Sequence, residues 1–419
     1  MREINISTKP TIYDIKDVNR LVFHIFFPVK RKKNDRANLV LTKRMLMTCS
    51  KLYDESSKLG KAFEDNLIMN YSVDNEGTYN YDFIIFKLSV PKDNIIKGYS
   101  IDNALEVFHE LIFNPLSDGK KFDEKHFNLE KKFILDSFKD YPRDITEFAM
   151  QEIDKFVDHK VKNTATHDEY MKLLDKATPK SAYDYYKKAI LNNNYFTFIT
   201  GCVENKRELL VKFNKYFNQA LKDIKFKLDI YDIHKVEKYK YKVIEKNYNQ
   251  SLLYKHYNIK KYKEDDRHKL KLLYFFLQSK ENNLIYHKLR RTNNLIYHAS
   301  VSRSLQCGTL NMFVYLDYHD VDTANKLISE VFDELRNKEL FELCMNRTIK
   351  AITYDLLSQE DNSFNILSEK INNILGLGDN LKDTLKIVKK ITYDEMIEFM
   401  DRVVLSRELL VKGGASNEK

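Results

Sequence analysis

Arg290 and Tyr297 stand seven residues apart in ENNLIYHKLRRTNNLIYHAS, residues 281–300. A guanidinium is a rigid fork of N–H donors and a phenol carries one hydroxyl. Side by side, they can hold the carbonyls of an extended peptide. The plain alternative is a solvated arginine and a half-buried tyrosine. Other residues invite chemistry and lose it on spacing. His109-Glu110 in FHELIF has half the look of a metal motif, but no second histidine follows, so it reads as an ordinary helix face. Cys49, beside Met45 and Met47, reads as core filling rather than a soft-metal ligand. His126 and Glu130, four apart, read as a local polar pair on one helix.

Stepping outward, Leu284, Ile285, Lys288 and Leu289 follow the spacing of a helical face, so a helix is expected through Arg291. A polar break at Thr292–Asn294 then leads into a strand from Leu295, with Tyr297 at its mouth. Upstream, 21–29 reads as a buried strand, 37–52 as a helix, and 71–90 as two strands around a turn at Asn75–Gly77. Helices are expected at 102–112, stopped before Asn114-Pro115, and at 122–138 and 145–159. Another starts at Thr178-Pro179 and leads into a strand over 195–200.

That last layout recurs. ATPKSAYDYYKKAILNNNYFTFITG (177–201) and ITYDEMIEFMDRVVLSRELLVKGG (391–414) each run from a threonine through an apolar-faced helix and a polar turn to a strand ended by glycine. A pair of long helices precedes each copy, 122–157 and 341–375, with acidic breaks at 139–140 and 360–361. A period of about two hundred residues means duplicated domains rather than a solenoid. The boundary is set at 1–232 and 233–419, with 233–247 an extended connector into the second domain's first strand. Strands and helix pairs in blocks imply an α+β fold in which sheets are packed with helices.

Composition narrows the function. With 43% hydrophobic and 31% charged residues the chain is globular, and 419 residues exceed one ordinary core. The net charge of +9 is spread thinly, and runs such as KKYKEDDRHKLK (260–271) read as a solvated face, not a nucleic-acid stripe. Four scattered cysteines point to free thiols in a reducing compartment, hence the cytoplasm. The N-terminus has no apolar core of the signal-peptide kind, and no stretch reaches membrane-span length.

Several stretches, in this order and spacing, resemble the pitrilysin/insulinase-like zinc metallopeptidases. They are LEVFHELIFNPLSDGKKFDEKHFNLEKK (105–132), the segment closing on Gly201, YNQSLLYKHYNI (248–259) and LIYHKLRRTNNLIYHASVS (284–302). Catalytic members carry His-x-x-Glu-His on a helix, two zinc ligands and a general base. None of the eleven histidines here begins that motif. The corresponding helix, NLVLTKRMLMTCSKLY (38–53), has no His, Asp or Glu, and near the expected third ligand only Asp136 and Ser137 stand in ILDSF. The resemblance therefore implies a chain with no metal site and no catalytic residue of its own. It is most similar to the non-catalytic, YfmF-like subunits of bacterial two-chain peptidases. In such pairs a sibling supplies zinc and the non-catalytic chain supplies an Arg–Tyr pair, which Arg290 and Tyr297 match. The implied assembly is a clamshell-like heterodimer around a peptide, serving peptide maturation. The alternative is a stand-alone structural or peptide-binding protein that kept the fold.

Overall fold

A computed structural model describes residues 2–16, 18–78, 80–93, 95–138, 141–156, 165–228, 238–359, 372 and 380–414. It divides into two compact units. The first comprises Met1–Lys139, Val161–Ile230 and Ser363–Gly376; the second comprises Asp140–Lys160, Tyr231–Asn362 and Leu377–Lys419.

In chain order the elements begin with β1 (Arg2–Ser7), β2 (Thr11–Asp14), β3 (Arg20–Lys30), α1 (Arg36–Thr48), α2 (Ser56–Asp65), β4 (Asn70–Gly77) and β5 (Tyr81–Pro91). Next come α3 (Ile101–Phe113), α4 (Glu124–Ser137), α5 (Ile145–Phe156), α6 (His167–Lys176), α7 (Pro179–Tyr186), β6 (Phe196–Gly201), α8 (Lys206–Tyr216) and β7 (Asp223–Leu228). The remainder is β8 (Lys240–Glu245), β9 (Ser251–Ile259), α9 (Arg267–Gln278), α10 (Leu284–Tyr286), β10 (Ile296–Ser304), β11 (Thr309–Leu316), α11 (Val321–Glu334), α12 (Lys338–Gln359), α13 (Leu381–Val388), α14 (Tyr393–Met400) and β12 (Val403–Lys412).

The units repeat one topology. Their sheets run β2-β6-β3-β5-β4 and β8-β12-β9-β11-β10, and a small ribbon pairs β1 with β7. In each sheet the first-named pair is parallel and the rest antiparallel. The repeated helix-to-strand layout occupies the same position twice. Thr178 and Thr392 each close a capping box, with Ser181 and Glu395, at the starts of α7 and α14. A cap of this kind is worth about 1 kcal/mol. Gly201 ends β6 at φ +130°, where a Cβ would lie 2.1 Å from the Arg20 carbonyl oxygen.

Each sheet buries one face beneath helices. On β3, alternate residues Leu21, Phe23, Ile25 and Phe27 enter the first core with Leu41 and Met45 of α1. The second core joins Leu253 and Tyr257 of β9 to Leu273 and Phe276 of α9. Each such side chain contributes roughly 1.5–3 kcal/mol on burial.

Several expectations shift. α1 stops at Thr48, and α2 was not foreseen; nor were β1, β2, α6, α8 or β7, whose polar residues dilute the apolar period. The expected turn at Asn75–Gly77 is not where β4 and β5 part: β4 runs to Gly77 and β5 opens at Tyr81. Asn75 and Gly77 both lie in β4, where a Cβ on Gly77 would meet Arg31 Nη2 at 1.6 Å. The expected helix pair 122–157 does not stay together, because Asp140–Lys160 groups with the second unit. There α5 covers the far face of the sheet, Ile145, Ala149 and Ile153 packing on Leu252, Tyr254 and Leu409. Of the second expected pair, α12 is described to Gln359 and, residue 372 apart, the rest lies outside the described residues, as do both acidic breaks. The connector at 233–247 is described from 238, and its strand β8 pairs in parallel with β12. The run 260–271 is not wholly solvated: Asp266 is buried and takes a fork from Arg402 at 2.5 and 2.9 Å.

Candidate peptide-binding site

The junction between α10 and β10 is built from the backbone outward. Asn283 enters it in the left-handed region at φ 40°, and α10 continues into a π-helical turn, His287–Thr292. Such turns often mark functional positions. Ile285 and Leu289 are buried, which seats the turn on the second core. Lys288 reaches α11, pairing with Glu330 at 3.0 Å and Glu334 at 2.6 Å. Asn294, at φ 53°, reverses the chain, and the Leu295 N–H donates to the Leu289 carbonyl at 2.9 Å. The helical turn runs one residue past the expected Arg291, so the break falls at 293–295 rather than 292–294 and the strand opens at Ile296 rather than Leu295.

Arg290 and Tyr297 come together on this frame. Arg290 Nη1 donates to the Ile296 carbonyl at 2.9 Å, and no other partner occupies its fork among the described residues. Tyr297 is 53% exposed. Its hydroxyl lies 3.0 and 2.9 Å from the two carboxylate oxygens of Asp317. That hydrogen bond holds the phenol above its ordinary pKa, with Arg290 pulling the other way. A carboxylate outcompetes a peptide carbonyl for a hydroxyl hydrogen, so Tyr297 turns lone pairs outward while Arg290 offers N–H groups.

Asp317 was not singled out from sequence. No sequence signal pointed to it: Ile296 pairs with Leu316 and His298 with Tyr315, which leaves Tyr297 in a bulge at the end of the antiparallel β10–β11 pair, next to the turn that Asp317 opens. Asp317, His319 and Asp320 also form the one group of three donor atoms with metal-like spacing among the described residues, within 4.8 Å of one another. Only His319 of the three is exposed, and both Asp317 oxygens already face the phenol.

The helix corresponding to the zinc helix is a different kind of place. On α1, Leu39, Leu41, Met45 and Leu46 are buried. Thr42 donates to the Ala182 carbonyl at 3.0 Å. Arg44 pairs with buried Glu130 of α4 at 2.6 Å and lies 4.5 Å over the Phe133 ring. Thr48 Oγ donates to the Arg44 carbonyl at 2.9 Å and meets His126 Nε2 at 2.8 Å. With the threonine hydrogen spent, the imidazole N–H is the donor in that contact. His126 and Glu130 are thus more than a local pair, since both tie α4 to α1. Burial pushes the Cys49 thiol up to about 12, so it stays protonated at neutral pH. Ser137 spends its hydroxyl on the Ile134 carbonyl. A guanidinium, a threonine and a protonated thiol do not fit a zinc ion. His109 packs against Phe113 and Phe217, an ordinary aromatic face.

Residues 176–351 match the family model described as Peptidase M16 inactive domain. No match is found among the curated proteins. Among solved structures, a conserved protein from Enterococcus faecalis is similar at 16% identity and TM-score 0.79, covering 99% of this chain and 100% of that one. A peptidase M16 inactive domain from Pseudomonas fluorescens is similar at 13% identity and TM-score 0.69, over 100% and 99%. A protease from Helicobacter pylori follows at 11% and 0.70, over 98% and 99%. The chain has the two-domain α+β fold of M16-like peptidases, and its matched segment makes it a catalytically inactive peptidase homologue. No described helix is long and apolar enough to cross a membrane.

Proposed function

We propose that the chain is the non-catalytic, YfmF-like subunit of a paired zinc peptidase in the cytoplasm, holding peptide for a sibling that supplies the metal. One observation carries this reading. Arg290, bound to the Ile296 carbonyl, and Tyr297, the next residue along, share a helix-to-strand junction with unspent donors on one and unspent lone pairs on the other. An extended backbone presents a carbonyl and an N–H at each residue, and the pair is complementary to both. Positioning of this kind is a large share of peptide-bond cleavage. Zinc belongs to the partner, because α1 and α4 here are joined by Arg44 and Glu130. The substrate is a short or unfolded peptide, and peptide maturation is the role that fits it.

The test is co-expression with a sibling bearing His-x-x-Glu-His. The pair is expected to be a heterodimer that cleaves peptides, and this chain alone to be inert and zinc-free. Stoichiometric zinc with cleavage by the purified chain would sink the reading. A pair that never forms returns the chain to a stand-alone binding protein.

A further inference from the structure

β10 is an edge strand, and its outer edge is only partly open. The Ile296 carbonyl is taken by Arg290, and the Val301 N–H donates to Gln278 Oε1 at 2.8 Å. Ala299 and Val301 point into the helix-packed core, so the strand's alternation directs Arg303 to that same side. A guanidinium therefore stands where two apolar side chains precede it. Its Cζ lies 3.8 Å from the Tyr274 ring centre and 5.8 Å from that of Phe275, both on α9. Its buried Nε has no hydrogen-bond partner, and no carboxylate pairs with it among the described residues. Burial holds the guanidinium below its ordinary pKa, with the Tyr274 hydroxyl pulling the other way, and it stays charged.

A cation set into an apolar edge is unfavourable unless something compensates it. The tyrosine face does so in part, and it orients the fork. An arginine kept only for packing would be matched by methionine, which fills the same volume without the charge. The position along the strand adds a second argument. Arg303 follows Tyr297 by six residues, a span of about 20 Å for extended chain.

We propose that Arg303 is a carboxylate-binding site, taking the C-terminal carboxylate or an acidic side chain of an extended peptide about six residues from the one held by Arg290 and Tyr297. This rests on the reading of those two residues as a peptide clamp. It adds a specificity determinant that neither of them supplies, since a backbone clamp reads no side chain or terminus.

The test uses the full chain and fluorescein-labelled ten-residue peptides of Thr, Val and Ser, read by fluorescence anisotropy. One ends in a free carboxylate, one in an amide, and one in an amide with a glutamate placed six residues along. The free acid or the glutamate peptide should bind roughly tenfold tighter than the plain amide. Whichever does so identifies terminus or side chain as the source. Arg303→Gln and Arg303→Met should erase the difference, and Arg303→Lys should keep part of it. Arg290→Ala should weaken all three peptides alike. Equal binding of all three by the unaltered chain, with Arg290→Ala still weakening them, overturns the carboxylate site and leaves the clamp. Indifference to Arg290→Ala, or no binding at all, overturns the clamp and the site with it. The comparison of peptides on the unaltered chain stands even if an Arg303 variant fails to fold.

Discussion

The helix α1 and the junction at Arg290 sit in units with the same strand order, yet they are put to opposite uses. At α1 three polar side chains are spent on the fold: Arg44 on Glu130, Thr48 on Arg44 and His126, Thr42 on Ala182. At the junction the polar groups are held in place but left with capacity to spare. A saturated network stabilises and specifies a fold, whereas an unsaturated one on a rigid frame is what a ligand can use.

If that contrast is right, stability and activity separate between the two regions. The largest effect is expected at α1. Glu130→Leu strands Arg44 beside Phe133 and should cost about 3 kcal/mol, at the lower end for a buried pair because Arg44 is 27% exposed. Urea denaturation measures it, and kcat/KM of the assembled pair should not change while the chain is folded. Arg290→Ala should do the reverse. It should lower kcat/KM of the pair roughly a hundredfold, as loss of a positioning group does, while altering stability by no more than about 1.5 kcal/mol for one hydrogen bond. Equal losses in both assays for either variant would break the comparison.

The first unit should also carry acid sensitivity. Burial, with Lys87 adding to it, holds buried His24 of β3 at about 3, below its ordinary 6.5. The folded state therefore binds the proton less well than the unfolded chain. The stability it lends is present above pH 6.5 and is lost as pH falls from there towards 3. The expected slope is roughly 1.4 kcal/mol per pH unit. His24→Phe should flatten that part of the profile, which denaturation midpoints across pH 4–7 will show. The smallest effect is expected at Tyr297→Phe: about three- to tenfold in kcat/KM with an unmoved melting temperature, the worth of one hydrogen bond.

Periodicity carried much of the architecture. The strand at 21–29, the helices at 102–112 and 178–186, and the two matching Thr-to-Gly segments were all legible, because apolar spacing and caps are local. The missing zinc motif and the Arg290–Tyr297 spacing were legible for the same reason. Elements rich in lysine and glutamate, such as α8, were hidden, since their burial rests on two residues, Leu209 and Phe213.

Sequence alone determined that this chain has no His-x-x-Glu-His and that an arginine and a tyrosine flank a helix-to-strand break. Only the tertiary structure decided which partners those side chains meet. Asp317 reaches Tyr297 at the bulged end of the β10–β11 pair, Glu130 reaches Arg44 across two helices, and α5 packs with strands of the second unit. Each contact joins residues far apart in the chain. Local spacing says which face a side chain takes, and only the folded packing says what stands opposite it.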